Sequence, residues 1–130
     1  MRKVALVIII LLSLALILGR TGVLRVFQKE EINKISFQEA PENVGEKKWV
    51  HGKVDHVFVS PEGDVFINFC EDYRDCPFYS VIFSGDTYLF EELEDLKEEK
   101  VAIKGEISLH EGRPQIVVEH PEQIKVLDNI

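Results

Sequence analysis

The sequence predicts an all-β domain, a five-stranded Greek-key barrel with one short helix between its third and fourth strands, preceded by an N-terminal apolar helix. Three observations predict it. From position 49 onward the chain falls into five short runs rich in β-branched and aromatic residues, separated by turn residues. One of these, 101–109, alternates without interruption: Val101, Ile103, Gly105, Ile107 and Leu109 against Ala102, Lys104, Glu106, Ser108 and His110. Between the third and fourth runs the apolar period changes from two to that of a helix.

The first strand is expected over 49–59. Val50, Gly52, Val54 and Phe58 share one parity and Trp49, Val57 and Val59 the other, so both faces are partly covered. Ser60-Pro61-Glu62-Gly63 is a turn, with Pro supplying a fixed φ and Gly a position open to φ > 0. Strand two covers 64–70, with Val65, Ile67 and Phe69 on one face. A loop over 71–77 leads to strand three, 78–84, which Gly85 ends. Tyr88, Leu89, Leu93 and Leu96 then lie at helical spacing over 86–96, with Asp86 available as N-cap. After strand four, Glu111-Gly112 makes a hairpin turn. Strand five runs over 114–119, begun by Pro114 and stopped by Pro121. Ile124, Val126 and Leu127 close the barrel. Gly52 and Gly105 suit the tight coiling of strands at barrel corners. Three strands, a helix and two strands is the order of the OB type of barrel.

The N-terminus has a separate character. Arg2 and Lys3 precede an apolar run over 4–18, interrupted by Ser13 and ended by Gly19-Arg20. A basic flank followed by such a run is the physical signature of an export signal. Fifteen residues is short of the ~20 that span a bilayer, although the helix can continue past Gly19 with Arg20 reaching the interface. No A-x-A-like cleavage pattern follows, which favours an uncleaved anchor over a cleaved signal peptide. The two basic residues favour a cytoplasmic N-terminus and a body outside the cytoplasm. The expected organisation is a signal-anchor or signal peptide over 1–20, a stalk or linker over 21–34 and the barrel domain over 35–130. The expected location is the cell membrane, crossed once, or the secreted or periplasmic space if the segment is cleaved.

Charge is unevenly divided. The stretch 35–130 holds 9 Lys and Arg against 21 Asp and Glu, a formal charge of −12, whereas the first 34 residues carry +4. An acidic body repels phosphate at long range, which weighs against nucleic acid unless basic groups cluster locally. Solubility is the plainer explanation of the acidity.

Several strings also carry a resemblance. Ala40-Pro41-Glu42-Asn43-Val44-Gly45-Glu46, Val50-His51-Gly52-Lys53-Val54, Val65-Phe66-Ile67-Asn68-Phe69, Val81-Ile82-Phe83, Val101-Ala102-Ile103-Lys104-Gly105-Glu106-Ile107, Gly112-Arg113-Pro114-Gln115-Ile116-Val117-Val118 and His120-Pro121-Glu122-Gln123-Ile124 resemble small exported bacterial OB-fold proteins of the nucleic-acid-binding, anticodon-binding-like type. The resemblance covers 35–127. It implies binding, with single-stranded nucleic acid as the ligand class, across strands two and three.

The chemistry-bearing residues are few. Cys70 and Cys76 flank the loop between strands two and three, where adjacent antiparallel ends approach closely enough for a disulfide. An even count in an exported chain fits a structural bridge, with a redox pair or metal site as alternatives; the spacing is not C-x-x-C. His51, His56, His110 and His120 lack metal-ligand spacing, although His110 and His120 flank one hairpin. Lys53, Asn68, Tyr73, Tyr79, Lys104 and Arg113 are the candidate ligand-binding face, since OB folds hold single strands through stacked aromatics and a basic groove. The alternative is that Tyr79 and Trp49 pack the barrel and Arg113 pairs with a glutamate. No G-x-S-x-G motif, P-loop or Gly-rich phosphate cradle is present.

The expected function is therefore a tethered binding module without catalytic activity, cofactor or evident small-molecule substrate. Its partners are the membrane, through the N-terminal segment, and either single-stranded nucleic acid or an extracytoplasmic protein. An anchored OB barrel is also similar to the haem chaperone of cytochrome c maturation, which attaches haem through a His in a His-and-Tyr segment. Here His120 is followed by Pro121-Glu122-Gln123-Ile124 without the Tyr, which argues against haem. A haem- or protein-binding chaperone or scaffold is the alternative reading.

Overall fold

Alternation along the strands decides which side chains meet in the interior. In a computed structural model that describes residues 33–128, β4 (Val65–Asn68) buries Val65 and Ile67 in the core and turns Phe66 and Asn68 the other way. Strand β6 (Lys100–Glu106) does the same with Val101 and Ile103, opposite an exposed Lys104. β2 (Lys47–Lys53) contributes Val50, and β5 (Tyr79–Ile82) contributes Ile82. β8 (Arg113–Val117) contributes Ile116. Each such aliphatic side chain withdrawn from water stabilises the fold by roughly 1.5–3 kcal/mol before entropy is counted. The apolar N-terminal segment and the linker up to position 32 lie outside the described residues. The body forms its own unit, Asn33–Ile130.

The strands form two sheets. One orders β1 (Lys34–Ser36), β2, β6 and β9 (Ile124–Val126); the other orders β3 (His56–Val59), β4, β5, β8 and β7 (Ser108–His110). The predicted first strand is thus β2 followed by β3, and the predicted fourth is β6 followed by β7. Taken as continuous chains, the strands run one, two, three, five, four, with four returning to one through β2 and β6. The third and fifth pair in parallel, Tyr79 against Gln115, and the other neighbours in this order are antiparallel. That is the Greek-key order expected of the OB type.

The structure corrects the prediction in three places. First, the ladders do not close into a single barrel, because strands one and four each break where they change partners. At Val54 the backbone still bonds Glu99 and Glu98 beside β6, and one residue later the Asp55 N–H donates to Asn68 of β4. At Ile107 the backbone pairs with Gly45 and Glu46 before the chain joins β8. Second, the helix over 86–96 is not α-helical. It consists of two 3-10 turns, Thr87–Leu89 and Leu93–Leu96, and the Asp86 side chain makes no capping bond. The residues that pack on the core are Phe90, Leu93 and Leu96. Leu93 and Leu96 lie one 3-10 turn apart, Phe90 is the extended residue that ends the first turn, and Tyr88, counted as part of the apolar face, is 80% exposed. Third, the body has an edge strand that the sequence reading did not place: β1 begins at Lys34. It pairs in parallel with β2, and Ser36 at its end caps a 3-10 turn over Phe37–Asn43 in a capping box with Glu39.

Gly52 and Gly105 do lie near the two strand breaks, but interior space is what demands them. A Cβ at Gly52 would stand 2.6 Å from Phe37 and 2.8 Å from Phe69, and one at Gly105 would stand 2.5 Å from Ile116.

Candidate ligand-binding cleft

On β4 the residues that turn away from the core are Phe66 and Asn68. Register places Phe58 and His56 of β3 beside them on one side, and Tyr79 of β5 beside Asn68 on the other. The tight turn Glu111-Gly112, with φ of 50° and 78°, sets His110 directly opposite Arg113. These side chains and Tyr73 line a cleft of about 450 Å³ on the outer face of the five-stranded sheet.

Tyr73 reaches the cleft from the loop between β4 and β5, which is held at three points. Cys70 and Cys76 form a disulfide with Cα atoms 5.6 Å apart. Asp72 caps the short 3-10 turn Tyr73–Asp75 by accepting from the Arg74 N–H at 3.0 Å. The Arg74 guanidinium also grips the Asp72 carboxylate through Nε and Nη2, both at 3.0 Å, and these bonds hold that carboxyl below its usual range. Finally, Nη2 of Arg113 donates to the Tyr73 carbonyl.

Aromatic surface dominates. Phe58 and Phe66 have ring centroids 6.3 Å apart, and Phe66 and Tyr79 6.0 Å. The Arg113 guanidinium lies 4.8 Å from the Tyr79 ring and 5.7 Å from the Tyr73 ring, within cation–π range of both. Phe58 and Tyr73 are each about half exposed, whereas Tyr79 is 6% exposed. The Tyr79 hydroxyl donates to Gln115 Oε1 at 2.8 Å. Burial pushes the phenol pKa up, with Arg113 opposing, so the phenol keeps its proton and its donor role.

A polar chain lies along one side of the cleft. His56 Nδ1 donates to Asp55 Oδ2 at 2.7 Å, because a carboxylate only accepts. In the neutral ring Nε2 is then an acceptor, and Asn68 Nδ2 donates to it at 3.2 Å. The arrangement presents hydrogen-bonding edges beside aromatic faces, which suits a planar polar ligand.

Of the six residues nominated from sequence, the structure brings Asn68, Tyr73, Tyr79 and Arg113 into this cleft. Lys53 and Lys104 lie on the other sheet, on β2 and β6. Arg113 forms no ion pair with a glutamate among the described residues; it stacks on tyrosines instead. Tyr79 is buried on the outer side of its sheet, and Trp49 lies outside the core. His110 lines this cleft whereas His120 lines a hollow beside Trp49, so the two histidines do not share a site. His56, Phe58, Phe66 and His110 were missed from sequence. Their signal was parity: Phe66 shares a face with Asn68, and Phe58 shares one with His56.

No protein-family model matches the chain, and no curated protein does so significantly. Its structure is similar to asparaginyl-tRNA synthetase from Pyrococcus horikoshii, with a TM-score of 0.50 and 20% identity, over 76% of this chain and 24% of that one. The chain therefore spans about a quarter of that enzyme's length. It is also similar to OBody AM1L10 in its complex with hen egg-white lysozyme, with a TM-score of 0.53 and 20% identity, over 73% of this chain and 93% of that one. At this identity the likeness is one of fold, and the fold is of the OB type.

Proposed function

We propose that the protein is a membrane-tethered OB-type binding module, acting outside the cytoplasm and without catalytic activity, whose cleft takes unpaired bases of single-stranded nucleic acid. The observation that carries this reading is the cleft itself: four aromatic rings, an arginine stacked on two of them, and a polar edge formed by His56 and Asn68. Base stacking on aromatic faces contributes about 1–3 kcal/mol per base and tolerates any sequence, whereas the polar edge can select among bases. The similarity in fold to a tRNA synthetase supports the ligand class. The basic flank and apolar run at the N-terminus support the tether.

The test is an electrophoretic shift with short single-stranded DNA and RNA over a range of salt, because low salt strengthens both attraction to Arg113 and repulsion by the acidic body. A shift is expected, weakened about tenfold by Arg113→Ala, which removes the arginine lining the cleft; one hydrogen bond to a charged group contributes about 1.5 kcal/mol. Absence of a shift at every salt concentration, low and moderate, would remove nucleic acid as the ligand. The tether is tested by alkaline extraction of membranes from cells that express the whole chain; recovery in the soluble fraction would exclude an anchor.

A further inference from the structure

The acidic body carries a concentrated basic face. Between positions 33 and 128 the sequence has ten Lys and Arg residues. Six of them fall on the outer side of the four-stranded sheet. Along β2, Lys47, Trp49, His51 and Lys53 share one side, opposite buried Val50. Across the β2–β6 ladder Trp49 faces Lys104, and Lys53 faces Lys100. On the β1 side Lys34 faces Trp49. From β9, the Lys125 ammonium reaches to 4.4 Å from the centre of the Trp49 ring, with that of Lys104 at 5.4 Å. At ordinary strand spacing and rise, these six charges occupy an area of about 15 by 20 Å.

Carboxylates offset only part of this charge: Glu106 stands opposite Lys47 in the ladder, and Glu39 lies within electrostatic reach of His51. None of the six lysines forms an ion pair with a carboxylate among the described residues. Glu106 is the one acidic residue on this side of β2 and β6; Glu119 and Glu122 stand beside the same hollow. Lys53 and Lys100 are placed directly opposite each other, a like-charge pairing that costs stability in an isolated sheet. A chain with 21 carboxylates over 35–130 has ample means to pair six lysines. Keeping them unpaired around a tryptophan points to an external anion.

We infer that this face docks onto a bilayer surface rich in anionic headgroups. The inference rests on the tethered reading above. Three observations favour a membrane. The first strand of the body, β1, is the edge strand of this same sheet. Lysine and tryptophan are the residue types that settle at membrane interfaces, one by charge and the other by its amphipathic ring. Trp49 is the lone aromatic residue on this side of β1, β2, β6 and β9, whereas a single strand of nucleic acid needs successive stacking platforms, and those line the cleft on the other sheet. Docking by this face therefore leaves the cleft's own sheet uncovered.

Trp49 is the single tryptophan of the chain and so reports on its own face. The whole chain is reconstituted in phosphatidylcholine vesicles with or without phosphatidylglycerol, and quenching of Trp49 by a headgroup-labelled lipid is measured. Strong quenching is expected with the anionic lipid alone, reversed by high salt as the Debye length shrinks. Lys34→Gln/Lys53→Gln/Lys100→Gln leaves the two lysines over the indole in place. At about fivefold per lysine it should lower the docked-to-free ratio on the order of a hundredfold. Equal quenching in neutral and anionic vesicles overturns the inference. So does a Trp49 response to a short single-stranded oligonucleotide in place of the vesicles, which would make this face part of the nucleic-acid site. Flotation with neutral vesicles reports the apolar segment separately, so a failed tether and a failed docking face give different results.

Discussion

Gly105→Ala tests whether the core is as closely packed as the geometry requires. Gly105 is buried one residue from the end of β6, and a Cβ there would stand 2.5 Å from Ile116 Cγ2 and 3.5 Å from Gln123 Nε2. Optimal carbon–carbon separation is about 3.5–4.0 Å, so roughly 1 Å of overlap must be relieved. Ile116 is fully buried and cannot swing outward. Gln123 Nε2 is held by the carbonyls of Lys104 at 2.8 Å and Val117 at 3.3 Å. Relief must come from a shifted strand or a strained rotamer, at about 1–3 kcal/mol. Alanine recovers about 0.5–1 kcal/mol of that through its smaller loss of backbone freedom. The net expectation is a loss of about 0.5–2 kcal/mol. In urea titrations of the body Asn33–Ile130, followed by Trp49 fluorescence, the midpoint should fall by about 1 M with the slope unchanged. Ile116→Ala removes the opposing methyl, so the double variant should be less destabilised than the two single losses added together. A Gly105→Ala protein as stable as the parent, or strict additivity in the double variant, would refute the packing argument.

Three further outcomes are expected. Tyr79→Phe leaves the buried Gln115 Oε1 without its donor and should cost about 1–3 kcal/mol, measured by the same titration, with Gln115→Leu in the same chain recovering part of the loss. Replacing Cys70 and Cys76 together by Ser opens a loop of sequence separation 6 and should cost roughly 2 kcal/mol by chain entropy, while loosening Tyr73 and weakening any ligand of the cleft. Burial, and secondarily the charge of Lys34, lower the His51 pKa below 6.5, with Glu39 opposing. The folded state then binds fewer protons than the unfolded state between that lowered value and 6.5, so stability rises with pH through this window and falls on acidification below 6.5. His51→Asn should flatten that part of a plot of thermal midpoint against pH; an unchanged slope would show that His51 does not contribute to it.

Local rules made a large part of this protein legible in its sequence. Alternation in 101–107 and in Val65-Phe66-Ile67-Asn68 placed the core residues on the correct side, because side-chain direction along a strand depends on nearest neighbours alone; Leu109, beyond the break at Ile107, is 56% exposed. Glu111-Gly112 named its hairpin, and the pairing of Cys70 with Cys76 followed from two strand ends held by one short loop. Other features depend on partners distant in sequence, and only the tertiary structure decided them. Strands one and four break because each must leave one neighbour for another, at Val54–Asp55 and at Ile107; Gly52 and Gly105 lie near these points, but the new partner is set by distant strands. The 86–96 segment takes 3-10 turns because the core accepts Phe90, Leu93 and Leu96 and leaves Tyr88 outside. Parity assigns a residue to a side of its own strand, but register across the sheets decides its company. That is why Asn68, Tyr73, Tyr79 and Arg113 meet in one cleft, while Lys53 and Lys104 belong to a basic face that composition had averaged into an acidic body.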